Sequence, residues 1–234
     1  MINVKLSKRL DKIASYVEKD SILADIGCDH ALLDIYLEKN KIVKKAYACD
    51  VNSNALNQAK KNILLYNANN VETILSDGFK NISSSYNINT VVISGLGNSK
   101  IISILKNDNS LLKKIDTLII QSNTNVYDVR KNVVKLGYYI ESECMVKERD
   151  IIYQIIKFKK GYRYYSDRQL YFGPILLKNK DNLFKEYVTN EINSNYNILK
   201  KLPNKEIIKR IKVKYLIFKL KKEIHYWLYE FLLF

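Results

Sequence analysis

The chain has 234 residues, 47% of them hydrophobic, and it contains only seven glycines and two prolines. This length can bury one full domain and a smaller appendage, and this composition excludes a globally disordered protein. The net charge of +15 is uneven: residues 1–156 hold 21 basic and 17 acidic residues, whereas residues 157–234 hold 18 and 7. The basic C-terminal part indicates an anionic partner, with a solvated lysine-rich face as the alternative.

The three cysteines, Cys28, Cys49 and Cys144, are widely spaced and show neither zinc-binding nor redox spacing. We therefore expect a cytoplasmic protein without a metal site, in which Cys49 fills core space. The N-terminus has no long apolar run, so no signal peptide is expected, and the apolar tip over 226–234 is too short to span a membrane. We expect a monomer that does not bind membranes.

Short β-type runs alternate with helical periodicity along the first two thirds of the chain. Strands are predicted over 21–27, 46–50, 71–75, 90–94 and 117–120, and helices over 5–17, 31–39, 53–66, 98–106 and 126–135. Ser53 or Asn54 is the expected N-cap of the third helix, and Gly137 the C-cap of the fifth. Two last strands, over 138–146 and 151–158, suit a hairpin. The fold class is therefore α/β, a parallel sheet with helices on both faces and a final antiparallel pair.

From about residue 168 only helical spacing remains. Apolar residues recur over 184–202, Leu202-Pro203-Asn204 interrupts them, and two apolar stripes follow: Ile208, Ile211, Tyr215 and Phe218, then Leu220, Ile224, Trp227 and Phe231. We predict two antiparallel helices, a helical hairpin or short coiled coil, with these side chains used for packing. The expected domains are residues 1–160 and 168–234.

Polar and glycine residues follow five of the predicted strands: Gly27-Cys28-Asp29-His30, Asp50-Val51, Asp77-Gly78, Gly95-Leu96-Gly97 and Gln121-Ser122-Asn123. Ligands of such sheets bind outside the carboxyl ends of the strands. Gly27 allows close approach of a nucleotide-like cofactor, and Asp50, 23 residues later, suits ribose hydroxyls. Asp77 suits an adenine amino group, and residues 95–97 suit a pocket floor. We predict that the residues after the first four of these strands bind the cofactor, with the exception of His30.

A dinucleotide is the main competing cofactor, and Asp29 argues against it. Asp29 occupies the position where the second glycine of G-x-G-x-x-G would lie, so its side chain blocks a pyrophosphate and its charge repels one. S-adenosylmethionine carries no phosphate and has a cationic sulfonium, which tolerates an acid nearby. The pattern therefore favours S-adenosylmethionine.

The same residues resemble the TrmK family, bacterial enzymes that methylate N1 of adenine 22 in tRNA. The resemblance runs over nearly the whole chain. It is carried by Leu6-Ser7-Lys8-Arg9-Leu10, Ala24-Asp25-Ile26-Gly27-Cys28-Asp29-His30-Ala31, Asp77-Gly78, Gly95-Leu96-Gly97, Gln121, Asn123 and Phe172-Gly173-Pro174. It implies a Rossmann-like class I methyltransferase domain with a C-terminal coiled-coil domain, and tRNA as the partner.

Three positions depart from the family pattern. Asn98 stands where the family tends to have glycine, and it can still take a positive φ or cap the next helix. Ser122 and Asp34 stand where proline is usual. The loss of proline at 122 is expected to make that loop less rigid.

The resemblance also suggests catalytic roles. Neutral adenine already has a lone pair on N1, so catalysis needs alignment and stabilisation of the emerging positive charge. Asp29 is the candidate for stabilising that charge and for taking the N6 proton; the alternative is an N-cap role for a helix that begins at Ala31. His30 is either catalytic or structural. Gln121 and Asn123 suit an adenine edge or, equally, close a turn.

The expected RNA-binding residues are Lys8, Arg9, Lys209, Arg210, Lys212 and Lys214. Lys8 and Arg9 are alternatively placed against the cofactor's carboxylate or on a plain helix surface. Other functions stay open: methylation of another RNA or of protein, a noncatalytic RNA-binding module that kept the fold, or a basic coiled-coil scaffold. The scaffold would not need the ordered residues at the strand ends.

Overall fold

The structure, a computed structural model, describes residues 4–107 and 109–232. The chain divides into two compact units, Met1–Ile175 and Leu176–Phe234. This division falls later than the change of pattern that the sequence suggested between residues 160 and 168. The difference arises because a short helix over Asp167–Phe172, not resolved by periodicity, packs against a helix of the first unit.

Seven strands form one sheet within the described part of the first unit, in the spatial order β3-β2-β1-β4-β5-β7-β6. Strands β1 to β5 are parallel, and β7 is antiparallel to both β5 and β6, which confirms the predicted parallel sheet with a final hairpin. The strands after β1 are added first on one side of it (β2, β3) and then on the other (β4, β5). The connections that leave β1 and β4 therefore run to opposite faces of the sheet, and a crevice forms at the carboxyl ends of these two strands. The strands are β1 (Ser21–Ile26), β2 (Val43–Asp50), β3 (Val71–Leu75), β4 (Thr90–Leu96), β5 (Thr117–Ser122), β6 (Tyr138–Glu148) and β7 (Ile151–Lys160).

Apolar clusters lie on the two faces of this sheet. Ala24 and Ile26 belong to one cluster and Leu23 to the other, because successive side chains of a strand point to opposite faces. The helices of this unit are α1 (Lys8–Ala14), α2 (Leu32–Lys39), α3 (Ser53–Leu65), α4 (Asn98–Asn107), α5 (Asn109–Leu112), α6 (Val126–Lys135) and α7 (Asp167–Phe172), with a 3-10 helix over Ser84–Tyr86.

Two helix ends differ from the sequence prediction and one agrees with it. Helix α1 begins only after Ser7, whose side chain accepts a hydrogen bond from the Leu10 amide, so α1 is shorter than its periodicity suggested. The N-cap of α3 is Asn52, not Ser53 or Asn54, which already lie at the helix start. Gly137 has a φ of 87° just after α6, as expected of a residue that ends a helix.

A buried ion pair fixes the segment that leads out of the first unit. The Arg130 Nε lies 2.6 Å from Glu143 Oε1, and both side chains have 0% exposure. Arg130 Nη2 also donates to Gln154 Oε1, and Glu143 Oε2 accepts from the Ile175 amide. Gly173 passes so close that a Cβ there would lie 2.7 Å from Glu143 Oε2. This position therefore has no space for a side chain.

The second unit contains helices α9 (Asn182–Lys201) and α10 (Ile207–Leu232), and α8 (Pro174–Asn179) spans the division. Helices α9 and α10 pack on each other, and their connection over 202–206 is short enough to make them antiparallel neighbours. No helix within the described ranges is long and apolar enough to cross a membrane. Supercoiling of the pair stays a prediction. The buried apolar residues of the pair include Phe184, Val188, Ile192, Ile217 and Leu220.

One expectation for α10 is wrong. The first of its two apolar stripes does not pack: Ile208 is 71% exposed, Phe218 is 63% exposed, and Ile211 and Tyr215 are each 60% exposed. Periodicity reveals apolar stripes, but it cannot tell which stripe faces the neighbouring helix.

Candidate active site

A cavity of about 390 Å³ opens at the carboxyl ends of β1, β2 and β4, where the sequence predicted a cofactor site. Its volume is in the range of small-molecule sites. The structure brings together these expected residues along its wall: Arg9, Gly27, Cys28, Asp29, His30, Asp50, Val51, Gly78, Gly95 and Leu96. Lys8, Asp77, Gly97, Gln121 and Asn123 do not line it.

The turn between β1 and α2 has an unusual backbone that shapes one side of the cavity. Gly27, Asp29 and Ala31 all have positive φ angles, of 82°, 53° and 55°. The amides of Gly27 and Cys28 both donate to the Cys49 carbonyl, which fastens the turn to β2. Helix α2 then begins at the cavity with Ala31 as its N-cap and no side-chain cap bond. Asp29 is therefore not the N-cap, and the helix start suits a ligand carboxylate.

Asp29 and His30 lie side by side at the cavity rim. The Asp29 side chain is 76% exposed, and its Oδ1 lies 3.6 Å from His30 Nδ1. The His30 carbonyl accepts a hydrogen bond from Asn62 on α3. The backbone of His30 is thus fixed while its imidazole stays beside the Asp29 carboxylate, so one side chain can orient the other.

Asp50 ends β2 at the position suited to a ribose. Its Oδ1 accepts from the Asn52 amide at 2.8 Å, and its Oδ2 accepts from the Asp29 amide at 3.3 Å. These bonds tie Asp50 to both neighbouring turns, and each oxygen retains a further lone pair for ligand hydroxyls. Val51 follows with 60% exposure and supplies an apolar wall.

Asp77 lies beside the cavity but does not line it. Its two oxygens accept from Lys100 at 2.6 Å and from Lys80 at 2.8 Å. Hydrogen bonds from Lys100 and Lys80 lower the pKa of Asp77 to about 2. Gly78, together with Ser76, lines the cavity instead. Asp77 is thus bonded to two lysines, of which Lys100 itself lines the cavity, and its contact with an adenine amino group stays a prediction.

Gln121 lies beneath the cavity floor and connects several of its groups by hydrogen bonds, although its own side chain does not line the cavity. It is fully buried, and its Oε1 accepts from the Gly95 amide, from Arg9 Nη1 at 2.6 Å and from Ser94 Oγ. Its Nε2 donates to Asn123 Oδ1, and Asn123 Nδ2 donates to the Gly95 carbonyl. Burial prevents Gln121 from reading an adenine edge, so it positions the Gly95 backbone. Asn123 is exposed and shares that task.

The loop after β5 is held by a side chain where the resemblance suggested a loss of rigidity. Ser122 Oγ donates to the Thr124 carbonyl at 2.6 Å, so this residue closes the turn that proline would otherwise restrict. Thr124 Oγ1 in turn accepts from the Asn98 amide and donates to Asn98 Oδ1. A Cβ on Gly97 would lie 3.4 Å from the same Thr124 Oγ1. Asn98 begins α4 without disturbing this contact.

Arg9 lies in the cavity wall, whereas Lys8 is exposed on α1. The Arg9 guanidinium donates to Ser94 Oγ and Gln121 Oε1, both at 2.6 Å, and stacks 5.4 Å from the centre of the Tyr153 ring. These contacts make Arg9 part of the site rather than a free phosphate-binding group. Arg210 is engaged as well, since its Nη1 donates to the carbonyls of Leu199 and Leu202 in the second unit.

A pair of buried carboxyl groups under the cavity was missed by the sequence reasoning. Asp25 lines the cavity with 5% exposure, and Asp34 on α2 is fully buried with no donor to either oxygen. Burial and the neighbouring Asp34 raise the pKa of Asp25 well above its usual range, and burial raises the pKa of Asp34 to about 7. Burial and the repulsion between the two carboxylates therefore favour a protonated carboxyl in this pair. The available signal was an acid within an apolar strand and another within an apolar helix.

The residues fit S-adenosylmethionine and disfavour a phosphate ligand. Three acids, Asp25, Asp29 and Asp50, line the cavity around the turn that has to approach the ligand. The two lining cations are already engaged, Arg9 by Ser94 and Gln121 and Lys100 by Asp77, so the acids favour a cationic ligand over a pyrophosphate. No cluster of His, Cys, Asp or Glu suited to a metal ion occurs among the described residues. A doubly covered sheet with an antiparallel final hairpin and a cavity that fits S-adenosylmethionine is the architecture of the Rossmann-like methyltransferases.

Comparison with known proteins gives the family. The family model of TrmK, tRNA (adenine(22)-N(1))-methyltransferase, matches residues 23–223. The chain therefore belongs to the TrmK family and is a tRNA methyltransferase by class.

Individual relatives agree with this assignment. The chain is 33% identical to the putative tRNA methyltransferase MG248 of Mycoplasma genitalium, over 78% of this chain and 84% of that protein. It is 26% identical to the tRNA (adenine(22)-N(1))-methyltransferase of Bacillus subtilis, over 86% and 87%. The solved structure of M. capricolum TrmK with S-adenosyl-homocysteine superposes with a TM-score of 0.85 and 37% identity, covering 94% of this chain and 98% of that one.

Proposed function

We propose that this chain transfers the methyl group of S-adenosylmethionine to N1 of adenine 22 in tRNA, and that it works as a monomer in the cytoplasm. The observation that carries the proposal is the acid-lined cavity at the carboxyl ends of β1, β2 and β4 in a member of the TrmK family. The few and widely spaced cysteines support a reducing compartment, which is also where tRNA is found.

The cofactor would be held by the wall residues of the cavity. S-adenosylmethionine supplies an electrophilic methyl group on a cationic sulfur. The turn at Gly27 and the start of α2 suit its methionine carboxylate, and Asp50 suits the ribose hydroxyls. Val51 and Leu96 offer apolar contact. Asp25, ionised once a cation lies beside it, favours the charged ligand.

Asp29 is the proposed catalytic residue. N1 of neutral adenine carries a lone pair, so no residue has to remove a proton first. Methylation leaves a positive charge on the base, and the exposed carboxylate at the cavity rim is placed to stabilise it and then to accept the N6 proton. His30, 3.6 Å away, is proposed to orient this carboxylate. Gln121 and Asn123 act through the backbone of Gly95 as positioning residues.

The tRNA would be held mainly by exposed lysines. Lys8 on α1 and Lys209, Lys212 and Lys214 on α10 are exposed, although Lys209 also pairs with Glu206 at 3.1 Å. Arg9 and Arg210 contribute less in this proposal, because both guanidinium groups already bond to the protein. Base 22 lies inside folded tRNA, so its exposure would cost a few kcal/mol of unstacking.

Methyl transfer to a defined transcript tests the proposal. Purified protein and labelled S-adenosylmethionine are incubated with an unmodified tRNA transcript and with a matched transcript in which adenine 22 is replaced by guanine. We expect labelled 1-methyladenosine from the first and none from the second. Label in both transcripts would contradict the position, and label only in another RNA or in protein would contradict the substrate. Cofactor binding by calorimetry without any transfer would instead indicate a noncatalytic RNA-binding module.

A further inference from the structure

Helix α10 carries an apolar stripe on the side opposite to its packed face. The stripe consists of Ile208, Ile211, Tyr215 and Phe218, each at least 60% exposed. The packed face includes Ile217 and Leu220, which are 5% and 0% exposed. Successive helical residues are rotated by about 100°, so Tyr215 and Ile217 point to nearly opposite sides. Four large apolar side chains in one exposed line indicate a binding surface rather than a solvated face.

Two rows of lysines flank this stripe. Lys212 and Lys219 lie seven residues, about two turns, apart on one side, and Lys214 and Lys221 lie seven apart on the other. The Lys219 Nζ lies 5.4 Å from the centre of the Tyr215 ring, so cation and ring form a continuous surface. From Ile207 to Tyr226 the only acidic residue is Glu223, and it is 3% exposed. The exposed surface of this segment is therefore mainly cationic and apolar.

The combination of an exposed apolar stripe and two lysine rows indicates which kind of partner binds here. A second copy of α10 would place lysine rows against lysine rows, which costs affinity. A polyanion with flat apolar groups meets both features, because phosphates pair with the lysines and bases stack on the aromatic rings. RNA outside regular helices offers such bases, and proteins recognise unpaired RNA segments mainly by stacking. The stripe runs for about 15 Å, enough for a few nucleotides.

We infer that the α10 stripe, with its two lysine rows, binds an unpaired segment of the substrate tRNA by stacking bases on Tyr215 and Phe218. This inference rests on the proposed function, since it takes tRNA as the substrate. It adds that the second unit recognises RNA through bases as well as through phosphate charge. The stripe residues and the catalytic cavity then do separate tasks, one holding the tRNA and the other reacting with it.

The test compares two double variants of the full chain in tRNA binding across a salt series. Tyr215→Ala with Phe218→Ala is expected to weaken binding at least about tenfold and to leave the salt dependence unchanged. Lys212→Gln with Lys219→Gln is expected to lower the slope of log affinity against log salt by about 1 to 2. Tyr162→Ala with Tyr164→Ala removes two tyrosines that are 93% and 91% exposed in the first unit, and it serves as the matched control.

Further readouts separate folding from binding. Alanine favours helix, so circular dichroism of the aromatic variant should match wild type. Tyr215→Phe keeps the ring and is expected to bind normally, and methyl transfer by the aromatic double variant should show a raised KM with kcat largely kept. If the wild type methylates tRNA while the aromatic double variant binds it as tightly as wild type, the stripe inference is wrong and the proposed function stands.

Three other outcomes would overturn the inference. If the wild type neither binds nor methylates tRNA, the proposed function fails first. Binding through the stripe to vesicles of equal parts phosphatidylserine and phosphatidylcholine, with tRNA binding unaffected by the aromatic variant, would assign the surface to an anionic membrane. A wild-type dimer in sedimentation equilibrium that becomes a monomer in the aromatic double variant would assign it to a second copy.

Discussion

The two units of this chain use polar side chains in opposite ways. In the first unit the side chains that shape the cavity are buried and bonded, as Gln121 is to Arg9, Ser94 and the Gly95 backbone. In the second unit the charges of α10 are mostly exposed, and they flank apolar residues that are exposed too. Methyl transfer needs atoms held within about half an ångström. RNA binding needs charge density and flat surfaces, which tolerate motion.

The largest effect is expected from a substitution at Gly173, which lies in the rigid first unit. Gly173→Ala would place a Cβ 2.7 Å from Glu143 Oε2 and 2.8 Å from Arg130 Nη2, at a φ of 93°. The buried ion pair would have to move, so we expect the free energy of unfolding of the first unit to fall by about 3 kcal/mol. Denaturant unfolding measures this. Gly97→Ala, without positive φ, should cost less than about 1 kcal/mol; equal losses would contradict the explanation.

The next largest effect is expected at Asp29, whose side chain is exposed, in contrast to the buried and bonded Gln121 of the same unit. Asp29→Ala should reduce the single-turnover rate of methyl transfer about 100-fold, because charge stabilisation is lost at the reacting base. Cofactor affinity measured by calorimetry should change only a few-fold, since the turn is held by backbone bonds to Cys49. Asp29→Asn keeps the shape of the side chain but not its charge, so its single-turnover rate should lie between those of the wild type and Asp29→Ala. A rate near that of the wild type would show that Asp29 is not catalytic.

The buried carboxyl pair offers a pH-dependent test of the same rigid unit. The folded chain holds the proton of Asp34 up to about pH 7, whereas an ordinary aspartate loses it near 3.8. The free energy of unfolding should therefore fall as pH rises from about 4 through about 7. Asp34→Asn supplies a donor to Asp25 without needing a proton, so it should stabilise the protein at pH 8 by about 2 kcal/mol.

Thermal or denaturant unfolding of Asp34→Asn at pH 5 and pH 8 measures this effect. The gain should shrink at pH 5, where the wild-type pair keeps its proton. Asp116→Asn, at an exposed position, should show no such pH dependence. An equal gain at both pH values would contradict a raised pKa in the buried pair.

The smallest effect concerns the charged surface of the second unit. Lys212→Gln with Lys214→Gln should weaken tRNA binding several-fold and reduce its salt dependence, because two phosphate contacts are lost. Lys60→Gln with Lys61→Gln removes two exposed lysines from α3 in the first unit and is the matched control. Fluorescence anisotropy with labelled tRNA measures both. Equal losses from the two pairs would mean that charge acts non-specifically over the whole protein.

Much of the fold could be predicted because it depends on local pattern. β3 runs over Val71–Leu75 as predicted, and α6 over Val126–Lys135, since alternation and apolar spacing are properties of neighbouring residues. The position of the cavity followed from the same pattern, because polar residues after parallel strands meet at one edge of the sheet. The cap of α3 was misplaced by one or two residues, since Asn52, Ser53 and Asn54 are all capable caps.

The sequence by itself determined the order of elements, the edge of the sheet that holds the site and the charge difference between the units. Only the tertiary structure decided which polar side chains face the cavity. Gln121 is buried behind it, Asp77 faces two lysines, and Arg9 is drawn into its wall. It also decided that the stripe with Tyr215 is exposed while Leu220 packs. These outcomes depend on partners far away in the chain, which local periodicity does not contain.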